Sequence, residues 1–235
     1  MKPIANALPP IRRSEDRSNS VIRIELEGRD LLLTRTGVGP DHAEIVARRL
    51  FEDTPIAAAL SLGVAGGLSP LVQAGDLIVA DRVILRRSSG LESFPCNDGI
   101  RKAATALIHR QGGCYYLGPV LTIDRILTAE EKRVLAGESG AMAVDMESGA
   151  IASAAAACSV PFLAIRGVLD PVHEDLAVGI DQFLDERGKP QPLPLIRYLI
   201  EHPLTVPYLI GLGARTKAIC ARLGLLLQEF ATTLS

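Results

Sequence analysis

Residues Ala141 to Asp170 read AMAVDMESGAIASAAAACSVPFLAIRGVLD. Ala141 to Asp145 is strand-like, and Met146 to Cys158 suits a helix so rich in alanine that it can lie close against a sheet. Pro161 then opens an apolar strand, Phe162 to Val168, which stops at Leu169-Asp170-Pro171. Strand, helix and strand in direct succession form the repeating unit of an α/β protein.

The alternation continues toward the N-terminus. Ala129 to Leu135 suits a short helix, Gly118 to Ile123 a strand and Ile100 to Arg110 a helix. Ile56 to Leu62 and Asp76 to Ala80 read as strands, adjacent in one sheet because they follow so closely, with a Gly-rich turn at Gly63 to Gly67 between them. Asp41 is placed to cap a helix running to about Leu50, since its carboxylate can accept from the free N–H groups of a first turn. Val21 to Leu26 and Leu31 to Thr36 read as a hairpin around Glu27-Gly28-Arg29-Asp30, and Gly37-Val38-Gly39-Pro40 ends it. Residues 1–20, with their prolines and the charged stretch Arg12 to Arg17, show no periodicity and read as irregular. Toward the C-terminus, Pro190, Pro192, Pro194, Pro203 and Pro207 interrupt apolar segments such as Leu195 to Ile200 and Tyr208 to Leu212, before a final helix over Ala214 to Phe230. The expected organisation is one domain over 21–235, with 190–235 an apolar helical tail. The expected fold is an α/β three-layer sandwich around a central mixed β-sheet.

Bulk properties narrow the functions. With 235 residues, 48% of them apolar, the chain can bury one substantial core. Its 25 basic and 27 acidic side chains leave a charge of −2, which argues against a partner with a phosphate backbone, so no nucleic acid is expected. Cys96, Cys114, Cys158 and Cys220 lie far apart, and no secretory leader is recognisable, so a cytoplasmic protein with reduced thiols is expected. The histidines at 42, 109, 173 and 202 form no H-E-x-x-H, and neither a metal nor an organic cofactor is expected. No apolar run reaches the roughly 18 residues of a spanning helix.

Ligands of open α/β sheets bind outside the carboxyl ends of strands. Three segments carry suitable groups there: Gly63-Val64-Ala65-Gly66-Gly67, Val144-Asp145-Met146-Glu147-Ser148 and Arg166-Gly167-Val168-Leu169-Asp170. Glu147 sits where a strand gives way to a helix, and an ionised carboxylate there can accept from paired hydroxyls such as those of a ribose. It equally suits plain support of the helix start. Asp170 ends an apolar strand before Pro171, where desolvation can raise its pKa and make it a proton donor; alone, a capping or turn aspartate explains it better. Asp145 is the weaker candidate. The Gly-rich segment lacks the following helix of a dinucleotide fingerprint, His173 and Glu174 read as an exposed loop, and Arg86-Arg87 reads as a solvated charge pair.

Together these segments resemble the nucleoside phosphorylase and nucleosidase superfamily, particularly its methylthioadenosine/S-adenosylhomocysteine nucleosidases. The matching motifs are Thr36-Gly37-Val38-Gly39, then Gly63 to Leu68 with Gly75-Asp76, then Val144-Asp145-Met146-Glu147 with Ala150-Ile151-Ala152, then Val160-Pro161-Phe162 through Arg166 to Asp170. The resemblance, from about Val21 to Asp170, implies a nucleoside phosphorylase-like fold that assembles into dimers or larger homo-oligomers. It implies that Met146 and Glu147 hold the ribose, that Asp170 protonates or hydrogen-bonds N7 of the departing purine, that Val64, Ala65 and Gly66 lie against the substrate, and that Ile126 and Leu127 line the base pocket.

Two departures refine it. Phosphorylases of the superfamily usually carry an Arg two residues before the first Gly of the Gly-rich motif and a Ser or Thr just after it, both for phosphate. Ser61 and Val64 stand there, which favours water over phosphate as nucleophile; phosphate would be a co-substrate only of a phosphorylase. The nucleosidases also begin with a strand carrying a Gly and a water-activating acid, which the start of this chain lacks. An upstream start, substitution by Glu15 or Asp16, and a chain that binds nucleosides without turnover all stay open. Beyond Asp170 the sequence is similar to the hopanoid-associated branch, for which the implied reaction is adenosylhopane to adenine and ribosylhopane. That would make the substrate lipid-linked and would allow the C-terminal helices a peripheral membrane contact. These apolar helices equally suit completion of the core or of a subunit interface.

Overall fold

The computed structural model describes residues 13–16, 21–26, 29–176, 202 and 205–233. Leu195 to Ile200 and four of the five prolines noted near them lie outside the described residues. Three strands, β1 (Arg13–Asp16), β2 (Val21–Leu26) and β3 (Arg29–Thr34), form a small antiparallel sheet in that order. The start read as irregular thus contains a strand, and the hairpin's second strand lies two residues earlier than its apolar pattern suggests. Ile24, fully buried, packs with Leu227 and with Leu60 and Leu62, attaching this sheet to the main body.

The main sheet contains β4 (Ala59–Gly67), β5 (Leu77–Arg87), β6 (Gly90–Pro95), β7 (Tyr115–Thr122), β8 (Ala143–Asp145) and β9 (Phe162–Asp170). Their order is β6-β5-β7-β8-β4-β9, and β5 also pairs with β9 through Leu77 to Val79, so the sheet curls back on itself. Parallel pairs (β5 with β7, β7 with β8, β4 with β9) occur beside antiparallel ones (β4 with β8, β5 with β6), giving the expected mixed sheet.

Helices α1 (Pro40–Asp53), α2 (Asp98–Arg110), α3 (Ala129–Ser139), α4 (Ser148–Ala157) and α5 (Val206–Thr233) flank it. Alanine content lets α4 approach: Ala150, Ala152, Ala154 and Ala155 are all buried, and a Cβ on Gly149 would lie 2.8 Å from that of Leu85. In α3 the helix start is set by reciprocal bonds between Thr128 and Glu131. Helix α5 absorbs Tyr208 to Leu212 and buries Ile219, Leu223, Leu226 and Phe230. No helix among the described residues is long and apolar enough to cross a membrane.

Several sequence expectations change. The Gly63 to Gly67 segment is no turn but the second half of β4, because β8 and β9 both pair with it. β4 and β5 are not adjacent, since β9 stands between them. Gly39, not Asp41, is the cap of α1; Pro40 opens the helix and Asp41 sits in its first turn. β6, polar and largely exposed, had no apolar signal. Arg87 is not simply solvated: it reaches Glu44 at 2.8 Å and Glu92 at 3.1 Å.

Candidate active site

β4 connects the candidate segments. Gly66 pairs with Val144 of β8 on one side and with Asp170 of β9 on the other. Ala65 faces Val168 while Gly66 faces Asp170, so Leu169 is an extra residue in β9. Such a bulge redirects the side chain that follows it. Asp170 therefore lies within the strand rather than after it, 1% exposed, with its Oδ2 3.3 Å from where a Cβ on Gly66 would be. Any side chain at Gly66 would crowd that carboxylate and Val144 together.

Lys132 of α3 meets Asp170 there. Its Nζ donates to Asp170 Oδ2, to the Pro171 carbonyl at 3.0 Å and to the Glu174 carbonyl at 2.7 Å. Burial raises the Asp170 carboxyl, Lys132 opposes that rise, and the outcome is a pKa of about 6. Glu174 is half-buried and held by Arg215 of α5 at 2.7 Å, while His173 is exposed as expected.

Three residues beyond Val144, Glu147 is the half-buried residue at the start of α4. Its Oε1 accepts from the Gly39 backbone N–H at 3.0 Å. Gly37 and Gly39 have φ of 81° and 92°, a left-handed backbone that side chains resist, so the Thr36-Gly37-Val38-Gly39 motif shapes the loop that holds Glu147. Burial, and then the negative charge of Asp145, raise the Glu147 pKa above its ordinary value.

Asp145, set aside in the sequence as the weaker candidate, is the hub beneath the site. It accepts from Thr122 Oγ1 at 2.6 Å, from Arg166 Nε at 2.6 Å and from the Ser148 N–H. Thr122 Oγ1 in turn accepts from the Gly149 N–H at 2.7 Å, which fixes the start of α4. Every nitrogen of Arg166 donates: Nε to Asp145, Nη1 to the Ile165 carbonyl at 3.3 Å and Nη2 to Ser61 Oγ at 2.8 Å. Gly63 makes room for it, since a Cβ there would lie 3.3 Å from Nη1. This buried guanidinium is thus spent on structure, and Ser61 is one of its acceptors.

Of the remaining candidates, Met146 and Val64 are half-buried, Ala65 is buried, and all belong to the β4 and β8 segments that meet at Gly66. Ile126 is half-buried, but Leu127 packs into a core cluster with Leu68, Leu121, Ile123, Leu135 and Val144. Lys132 had no sequence signal, because its neighbours Glu130, Arg133 and Val134 are exposed and the segment reads as helix surface.

Residues 2–189 match the family model of the phosphorylase superfamily, and the chain belongs to that superfamily as an enzyme that cleaves N-glycosyl bonds. A 5'-methylthioadenosine/S-adenosylhomocysteine nucleosidase of Mycobacterium bovis is 28% identical over 212 residues, which cover 74% of this chain and 83% of that protein. The structure of the Campylobacter jejuni 5'-methylthioadenosine/S-adenosylhomocysteine nucleosidase aligns with a TM-score of 0.72 at 16% identity, covering 97% of this chain and 93% of that one. Futalosine hydrolase of Helicobacter pylori aligns at 0.66 and 18% identity, over 72% and 82%. At such identities the structural likeness speaks to the fold alone.

Proposed function

We propose that the chain is a purine nucleosidase that hydrolyses the N-glycosidic bond of an adenosyl compound, with Asp170 as the acid and Glu147 as the ribose acceptor. The observation that carries this reading is the meeting of two carboxylate-bearing strand ends at Gly66, with Val144 of the Glu147 segment on one side and Asp170 on the other. A purine leaves from C1' with the bonding electron pair. Protonation at N7 by Asp170 neutralises it, and water supplies the new bond to C1'. Over the turnover the proton lost by that water balances the one given up by Asp170, so adenine and a free sugar hydroxyl are the products. Glu147, ionised, accepts from the ribose hydroxyls and supports the cationic sugar of the transition state. Met146, Val64, Ala65, Gly66 and Ile126 lie against substrate in this reading.

Water is the favoured nucleophile because Arg166 already has a partner on each nitrogen and Ser61 is bonded to it. A phosphate dianion would need free charged donors. No metal or organic cofactor is required. The residue that accepts the proton of water is sought at Glu15 and Asp16, whose backbone forms β1.

The substrate we favour is adenosylhopane. This rests on the hopanoid-like sequence after Asp170 and on the long, apolar α5, which exposes Ile210 and Leu225. A homodimer or larger homo-oligomer, a cytoplasmic location and a peripheral membrane contact through the C-terminal helices complete this reading. The test is adenine release from adenosine, methylthioadenosine and adenosylhopane, with and without phosphate. Phosphate-independent release, abolished by orders of magnitude in Asp170→Asn, is expected. Strict phosphate dependence with ribose 1-phosphate as product would make the chain a phosphorylase, and saturable binding without turnover would make it a nucleoside-binding protein.

A further inference from the structure

Lys132 is a buried cation that the reaction above leaves unused. It is 1% exposed, although Glu130, Arg133 and Val134 of the same helix face solvent. Around Nζ stand three acceptors: Asp170 Oδ2, the Pro171 carbonyl and the Glu174 carbonyl. An ammonium has three N–H donors and no lone pair, whereas a neutral amine has two donors and would turn its lone pair against one of those oxygens. The acceptor set therefore fits the charged form. A buried ammonium needs a counter-charge, which Asp170 supplies.

We propose that Lys132 is a positioning residue for base departure: its ammonium fixes one oxygen of the Asp170 carboxyl, ties down the turn that follows it, and stabilises the carboxylate formed when Asp170 gives up its proton. This rests on the reading of Asp170 as the acid. The groups that face Asp170 are few. Lys132 approaches from α3, Glu174 from the turn with Arg215 of α5 on its far side, and Gly66 of β4 lies against the carboxylate without a side chain. Burial and Glu174 both hold the proton on Asp170; Lys132 opposes them most strongly, with a smaller contribution from a backbone N–H. Without Lys132, the acid would release its proton less readily and leave an uncompensated buried charge. The loss falls on the chemical step rather than on substrate binding.

The test compares wild type, Lys132→Met, Lys132→Arg and Asp170→Asn, using methylthioadenosine, adenosine and adenosylhopane as substrates across pH. In Lys132→Met, kcat is expected to fall at least about tenfold with KM within about twofold. The alkaline limb of the profile moves to higher pH, and Lys132→Arg, which keeps the charge, restores the limb. The Asp170 carboxyl carbon, assigned by its absence in Asp170→Asn, is followed by NMR titration and moves to higher pH in Lys132→Met. A titration that stays in place there, with kcat per folded molecule unchanged, overturns the proposal. Full turnover in Asp170→Asn, or no adenine release by wild type from methylthioadenosine, adenosine or adenosylhopane, instead overturns the assigned function, and the carboxyl titration still decides what Lys132 does. If Lys132→Met does not fold, the Lys132 Nζ signal of wild type serves: an ammonium that persists to pH 8 supports the proposal, and a neutral amine there removes it.

Discussion

Glu147 gains its place from a backbone N–H rather than from another side chain, so its charge and its anchoring can be separated. Glu147→Gln keeps an oxygen able to accept from Gly39 at the same position while removing the charge. Since a hydrogen bond to an ionised acceptor is roughly twice as strong as a neutral one, KM for methylthioadenosine is expected to rise about tenfold or more, with the fold unchanged by circular dichroism. Unchanged kinetics would reduce Glu147 to a support for the start of α4. Arg166 asks the opposite question. It touches Asp145, Ser61 and the Ile165 carbonyl, so Arg166→Met leaves Asp145 buried without its cation. A loss of about 3–5 kcal/mol is expected in denaturant unfolding. A loss under about 1 kcal/mol would mean that Thr122 and the Ser148 N–H suffice to hold Asp145.

The same distinction operates between elements, where glycines set how closely they pack. A Cβ on Gly167 would lie 2.1 Å from Cγ2 of Ile219, so β9 and α5 meet with no space for a methyl group. Gly167→Ala is expected to cost about 1–3 kcal/mol, and Ile219→Ala in the same chain to recover part of that loss by making room. A double variant no more stable than the sum of the two single losses would show that α5 shifts bodily instead. Such contacts explain what could be read in the sequence. Apolar runs and alanine content revealed α4, β9 and β2, because nearly continuous burial of α4 and β9 leaves an unbroken apolar trace. Glu147 and Asp170 stood out because polar groups at strand ends break that trace. The extension of β4 through Gly63 to Gly67 was hidden, since glycines that admit Arg166 and Asp170 look locally like a turn. Lys132 was hidden too: its burial is decided by the turn at Pro171 to Glu174, far along the chain, and not by its helical neighbours.

At the scale of the molecule, two carboxyls whose pKa is raised, chiefly by burial, make stability respond to pH in an unusual direction. Asp170 titrates at about 6 when folded, against about 3.9 in an unfolded chain. Between those values the folded state binds more protons than the unfolded one, so this group favours the folded state most below pH 4 and loses that contribution as pH rises through 6. Glu147, also raised, acts with the same sign. Glu44, whose partners Arg87 and Arg48 lower its pKa, acts with the opposite sign: its contribution is present above its unfolded pKa and is lost on acidification. The net curve therefore mixes the two, and the contribution of Asp170 is isolated by subtracting the curve of Asp170→Asn. The difference in unfolding free energy, wild type minus variant, is expected to fall by a few kcal/mol from pH 4 to pH 7, at about 1.4 kcal/mol per unit of pKa displacement. Asparagine also leaves Lys132 without a counter-charge, which offsets the whole difference curve in favour of wild type but does not create the slope while Lys132 stays ionised. Urea unfolding at half-unit pH intervals measures it. A difference that stays flat, or that rises with pH, would mean that the Lys132 pairing outweighs burial and that Asp170 is held ionised throughout, in which case it could not act as the acid near neutrality.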